Sequence, residues 1–272
     1  MKLQILGLIL LNTVIISECS SDTKLNDKHA EESIENEEKV QGGKLSSITK
    51  HPYMISIQND GDTEGAAFLI DRRWAVTAAY HFYGFENGSL TFRAGSSYAS
   101  KGRKLHVQSF FTHPGYLGRW KDDLTVFKLT KPLPLSKSIR PIGIASSLPK
   151  NGTLAATCGW GYQKWGFKAG DKNDTLRSTT VQYTESESCL DFYPGELNDR
   201  NFCSLTEGKS PCVFDWGAPL VYKGKAFGLF VGGLGCGSLK NPPIYIDLTE
   251  YKKWINNIIK KNSEPGEIID FQ

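Results

Sequence analysis

The 272-residue sequence contains a single long hydrophobic run, residues 5–16, and Asn12 interrupts it. That run falls short of the ~20 apolar residues that cross a bilayer as a helix. No second span exists, so the sequence gives no membrane-spanning segment. Lys2 precedes the run and small polar residues follow it up to about Cys19, which is the layout of a secretory signal peptide, residues 1–19. Residues 20–39 are poor in aromatic and apolar residues and read as a disordered acidic propeptide. Seven acids there (Asp22, Asp27, Glu31, Glu32, Glu35, Glu37 and Glu38) face only Lys24, Lys28 and Lys39, a net charge of −4. Lys2 and Glu18 cancel, so the overall +3 leaves +7 on the body that starts at Val40.

Cysteine is also sparse. Of six, Cys19 sits at the expected cleavage site, and the five that remain cannot all pair internally. Sequons at Asn87, Asn151 and Asn173 suit a secreted chain. The residues call for no metal, no cofactor and no nucleic-acid partner. A secreted, extracellular monomer that meets a protein partner is the expectation.

Hydrophobic content of 39% supports a sizeable core. Short alternating runs at 66–70, 74–77, 90–94, 104–112 and 124–129, separated by turn residues, read as strands. A Pro-, Ser- and Lys-rich stretch, 131–152, suits a crossover. A second set follows at 153–160, 179–184, 201–204, 218–221, 226–231 and 244–247. Tyr251, Trp254, Ile255, Ile258 and Ile259 lie on one stripe of a closing helix, with Thr249 or Asp247 as its cap.

Around this frame stands Cys212-Val213-Phe214-Asp215-Trp216-Gly217-Ala218-Pro219-Leu220. It resembles the nucleophile loop C-x-G-D-S-G-G-P-L of the chymotrypsin- and trypsin-like serine proteases. Asp215, Gly217, Pro219 and Leu220 match, while Trp216 stands at the serine and Phe214 at the first glycine. Further motifs agree in order. Lys39-Val40-Gln41-Gly42-Gly43 resembles the activation junction, Trp74-Ala75-Val76-Thr77-Ala78-Ala79-Tyr80-His81 the W-V-L-T-A-A-H-C stretch, and Asp122-Asp123-Leu124 the segment with the triad aspartate. The resemblance implies an all-β fold of two six-stranded antiparallel barrels with a C-terminal helix. The domain would cover residues 40–262, with a tail at 263–272.

The same resemblance implies site roles. Degenerate triad positions fall on Tyr80, Asp123 and Trp216. An indole carries a donor N–H and no nucleophilic oxygen, and a phenol is a poor base at neutral pH. With the histidine position lost, Asp123 is expected to accept the Tyr80 phenol. His81, next in sequence, faces away from the cleft by the ~100° turn between neighbouring helical residues. Cleavage after Lys39 would free Val40 to pair with Asp215; the alternative is an uncut chain in which Asp215 binds backbone N–H groups. The former specificity pocket is marked by Ser210, Phe214, Gly233 and Pro243, and Pro243 adds bulk where a side chain would enter. Disulfides are implied for Cys189–Cys203 and Cys212–Cys236, leaving Cys158 single, and the bridge that would join the positions of Gly65 and His81 is missing at both ends. Trp120, Trp165 and Phe167, with Tyr80, Phe214 and Trp216, are candidates for partner contact, although Trp216 could instead fill the vacated pocket. Lys101, Arg103 and Lys104, with Arg119 and Lys121, are a candidate anionic-partner patch or a solvated face.

Such chains are similar to insect serine protease homologues and to inactivated protease paralogues of parasitic mites. That similarity implies a binding role in host or immune proteolytic cascades such as complement or clotting. The alternatives are an active hydrolase with an atypical site and an inert structural or storage protein.

Overall fold

The computed structural model describes residues 41–82, 90–162, 174–264 and 266. The signal and propeptide segments, Lys39, Val40, Asn87, Trp165, Phe167 and Asn173 lie outside the described residues. A two-residue strand, β1 (Lys44–Leu45), precedes two barrels.

The first barrel is built from β2 (Met54–Asn59), β3 (Asp62–Leu69), β4 (Trp74–Thr77), β5 (Leu90–Ala94), β6 (Arg103–Leu105), β7 (Val107–Thr112) and β8 (Thr125–Leu129). Their order across the sheet is β6-β5-β2-β3-β4-β8-β7, every pairing antiparallel. The run expected as one strand over 104–112 breaks at His106 into β6 and β7. These two segments are the opposite ends of the sheet, so one residue joins its edges and closes the barrel. Six expected strands thus become seven segments, with the chain itself joining the two ends of the sheet.

The second barrel uses β10 (Leu154–Gly159), β11 (Arg177–Thr184), β12 (Asn201–Ser204), β13 (Pro219–Tyr222), β14 (Lys225–Gly232) and β15 (Ile244–Asp247). The ring β11-β10-β13-β14-β15-β12 closes because β12 also pairs with β11. β1 adds to β11, and β9 (Gly143–Ile144) runs parallel to the start of β14. A five-residue helix, α1 (Ser186–Leu190), was not legible as a period, and Cys189–Cys203 ties it to β12. Cys212–Cys236 is the second bridge, and Cys158 is free and buried. Closing loops of these lengths contributes about 3 kcal/mol each in the chain-entropy account.

Strand periodicity explains how the halves adhere. On β2, β3, β4 and β8 the side chains of Ile55, Ile57, Ala67, Leu69, Ala75 and Phe127 fill the first barrel. Their sequence neighbours Met54, Ala66, Phe68, Trp74, Val76 and Val126 point the other way and join the core of the second barrel. These strands are therefore buried on both faces, which is why β4 and β8 are buried along their whole length. Full burial of each large aliphatic or aromatic side chain contributes about 1.5–3 kcal/mol. By contrast β7, which alternates half-buried and exposed residues, has one face in water.

The chain closes with α2 (Leu248–Asn262). Asp247 caps it, its Oδ1 accepting from the Thr249 backbone N–H at 2.8 Å and from the Thr249 hydroxyl at 2.7 Å. Tyr251, Ile255 and Ile259 are buried, and Lys260 and Lys261 in the last turn suit the negative end of the helix dipole.

Candidate functional site

The loop 212–220 lies where the barrels meet. Its backbone is held from both sides: the Ala66 N–H of β3 donates to the Trp216 carbonyl at 2.8 Å, and the Gly217 N–H donates to the Phe230 carbonyl of β14 at 2.8 Å. Gly217 has φ +88°, and a Cβ there would lie 2.0 Å from the Ala66 carbonyl oxygen, so only glycine fits. Three residues earlier, Phe214 also has a left-handed φ, +70°. The backbone thus keeps a geometry suited to glycine while carrying a side chain, at about 1–2 kcal/mol.

Asp215 is fully buried. Its Oδ1 accepts from the Gly161 N–H at 2.7 Å, its Oδ2 from the Cys212 N–H at 3.0 Å, and the Trp160 N–H is a third donor. Burial raises its pKa to about 7 against the lowering effect of these donors. No side-chain cation pairs with it among the described residues. Val40, its expected partner after cleavage, lies outside the described residues.

Trp216 is half-buried between Tyr80, at 5.1 Å between ring centroids, and Phe214, at 5.5 Å. Phe214 in turn meets Tyr162 edge-on at 5.1 Å. Four aromatic rings therefore line up across the loop, each contact worth about 0.5–1.5 kcal/mol beyond area burial.

Asp123 is buried and burial raises its pKa to about 7. The expectation that it accepts the Tyr80 phenol is corrected. Its Oδ1 takes the Tyr80 backbone N–H at 2.8 Å, with the Ala79 N–H as a second donor. The 3-10 turn Ala79–Phe82 aims these amides at the carboxylate and turns the Tyr80 ring outward, 40% exposed, against Trp216. Burial, then Glu64 and Asp123, raise the phenol pKa further.

His81 is the residue whose role the sequence concealed. It is fully buried, and its Nε2–H donates to the Trp216 carbonyl at 3.0 Å, the tautomer that an acceptor carbonyl requires. Its Nδ1 has no partner among the described residues. Burial lowers its pKa to about 4. A Cβ on Gly65 would lie 2.1 Å from its Cε1. The imidazole therefore fills the place of the missing bridge and ties the turn to the loop. The loosening near Tyr80 that a lost disulfide suggests is offset by this packing.

The pocket positions are closed in. Ser210 is buried, its Oγ accepting from the Gly237 N–H at 2.6 Å. Pro243 is buried, and Gly233 lies against Pro242 and Pro243, where the Tyr193 hydroxyl donates to the Pro242 carbonyl at 2.7 Å. Trp120 is half-buried: its Nε1 would be 2.6 Å from a Cβ on Gly232, and its ring meets Tyr193 at 5.2 Å. The basic patch is split as well. Arg119 pairs with Glu196 at 3.0 Å and lies over Trp120, and Lys121 donates to the Gly195 carbonyl, whereas Lys101, Arg103 and Lys104 are exposed. Asn151 is exposed beside Glu185, donating at 3.1 Å.

A cluster missed entirely stands next to Asp123. Asp122 accepts from the Tyr251 hydroxyl of α2, pairs with Arg200 at 3.1 Å and faces His113 at 3.6 Å. It joins the first barrel, the second barrel and the helix through one carboxylate. Among the described residues no group of three or more metal-ligating side chains gathers, and no helix is long and apolar enough to cross a membrane.

Two closed antiparallel barrels with a terminal helix, and a glycine-anchored loop between them, define the chymotrypsin-like class. The chain belongs to the trypsin family: the sequence model described as Trypsin matches residues 40–255. Trypsin delta of Drosophila erecta is 32% identical over 222 residues, 80% of this chain and 87% of that protein, and Trypsin delta of Drosophila melanogaster is 30% identical over a similar span. Among solved structures, neuropsin, a serine protease expressed in the limbic system of mouse brain, shares the fold with a TM-score of 0.73 at 22% identity, covering 80% of this chain and 98% of that one.

Proposed function

We propose that this chain is a secreted, catalytically silent member of the trypsin family that acts by binding a protein partner, as a modulator of proteolytic cascades such as complement or clotting. The observation that carries the silence is Trp216 in the nucleophile position, packed between Tyr80 and Phe214 with its carbonyl engaged by His81. Acyl transfer needs a nucleophile with a general base in hydrogen-bond reach. Here the loop offers an indole, the base position a phenol whose pKa is raised, and the one imidazole beside it among the described residues is buried and committed to a carbonyl. The disulfides support an oxidising, extracellular compartment.

A second reading, an active trypsin-like hydrolase, is favoured by the relatives, which are named trypsins. The experiment that separates the two is labelling of the folded chain by a fluorophosphonate, before and after cleavage at Lys39, together with turnover of peptide esters. Neither labelling nor turnover is expected. Stoichiometric labelling that a cleft-blocking ligand abolishes would establish the hydrolase.

A further inference from the structure

Two cavities of about 380 Å³ and 400 Å³, lined by none of residues 212–220, adjoin and share Ala145, Ser147 and Tyr222. The first lies between α2 and the start of β14; the second continues along 147–153. Lys225 and Lys252 line the first, Lys150 and Lys223 the second. No carboxylate lines either cavity, and none of the four lysines forms an ion pair among the described residues. Uncompensated charges of one sign gathered in a groove focus potential and raise the local concentration of counter-ions.

The ammonium of Lys252 is held in place. It donates to the Ile144 carbonyl and to the Ser146 hydroxyl, both at 2.9 Å, which leaves one of its three N–H groups for a ligand. Lys225 is half-buried, on the strand that pairs with β9. Between the lysines the walls mix polar and apolar groups: Ser146 and Asn256 stand beside Ile255 and Ile259 in one lobe, Thr153 beside Leu148 in the other, and Ser147 and Tyr222 are common to both. Of the two aromatic rings only Tyr222 is accessible, since Phe227 is buried, and cations at intervals along such a mixed groove match a chain in which anionic groups alternate with hydroxyl-bearing rings. A base-stacking strand would need several aromatic platforms, and a lone phosphate would not span two lobes.

We propose that this groove binds a sulfated polysaccharide, with Lys150, Lys223, Lys225 and Lys252 taking sulfate groups and Tyr222 the face of a sugar ring. The site is independent of the loop at Trp216 and stands whether or not the chain is catalytically silent.

The probe is a fluorescent heparin octasaccharide titrated with the secreted full chain at physiological salt. Binding is expected to weaken with salt with a log–log slope of roughly three, the counterion release of about four neutralised charges. Lys223→Asn with Lys225→Gln should weaken binding about tenfold or more, a loss of ~1.4 kcal/mol; asparagine is chosen because Lys223 has φ +46°. Lys225→Arg should retain binding, and Lys150→Gln, at an exposed position, provides a second loss that leaves the strand untouched. Lys44→Gln with Lys50→Gln, exposed and outside both linings, should leave affinity unchanged. Failure of the unaltered chain to bind, an equal loss in this control pair, or equal affinity for a single-stranded oligonucleotide or polyglutamate of the same charge would overturn the proposal.

Discussion

The His81 Nε2 lies 3.0 Å from the carbonyl oxygen of Trp216, and the same ring occupies the space that a side chain on Gly65 would need. Gly65→Ala should therefore destabilise the fold by about 1–3 kcal/mol through overpacking. Combining it with His81→Ala should cost less than the two single changes added together, since removing the ring leaves only the Trp216 carbonyl oxygen, at 2.9 Å, against the methyl. Urea unfolding of the four proteins of this cycle measures the coupling; strict additivity would show that the two positions do not compete for space.

His81 also predicts a pH dependence. Its pKa is about 4 in the folded chain against about 6.5 when unfolded, so the unfolded state binds the extra proton between these values. Its stabilising contribution is present above pH 6.5 and is lost as pH falls towards 4, by up to about 3 kcal/mol. Asp123 and Asp215, both raised to about 7, act oppositely: the folded state holds their protons longer, and stability from them declines as pH climbs from about 4 to 7. The stability difference between the unaltered chain and His81→Asn isolates the imidazole. It should grow in favour of the unaltered chain from pH 4 to 6.5 and be flat above 7; a difference independent of pH refutes the assignment.

Tyr251→Phe removes the hydroxyl that donates to Asp122 and leaves a buried carboxylate oxygen short of one donor. A loss of about 1.5–3 kcal/mol is expected, the range for a hydrogen bond to a charged group. Guanidinium unfolding reads it, and an effect below half a kilocalorie would mean that Arg200 and His113 compensate.

On the reading proposed above, gaining hydrolytic activity should take more than supplying a nucleophile. Trp216→Ser alone, or with Tyr80→His, is expected to leave kcat/KM on ester and amide substrates far below that of an ordinary relative, because Phe214 carries a Cβ where glycine is wanted and Pro243 crowds the pocket. One misplaced oxyanion donor typically lowers rate ~10²–10³-fold. Adding Phe214→Gly and Pro243→Gly should raise activity further. Near-normal activity in the double variant would show that only two side chains separate this scaffold from an enzyme.

Most strands were legible as short apolar or alternating runs set between turn residues, and 74–77, 90–94, 201–204 and 244–247 coincide with β4, β5, β12 and β15. The break at His106 was not, because alternation of apolar residues continues across it and only closure of the sheet demands the bend. Within the site, residue types could be read but their directions could not. Whether Asp123 meets the Tyr80 phenol or its amide depends on a single 3-10 turn. That Gly65 and His81 complement one another appears only when positions sixteen apart are brought face to face. The lysine groove draws on residues 150, 223, 225 and 252, which no local pattern associates.

The Trp216 carbonyl and the Gly217 amide are gripped by Ala66 on one barrel and Phe230 on the other. Neither bond involves the side chain at 216. The loop is thus a socket indifferent to what it displays: the barrels fix the peptide path, and an indole or a hydroxymethyl group can be mounted on it without redrawing that path. Such a socket lets chemistry be lost, or exchanged for recognition, in single substitutions while the architecture stays intact.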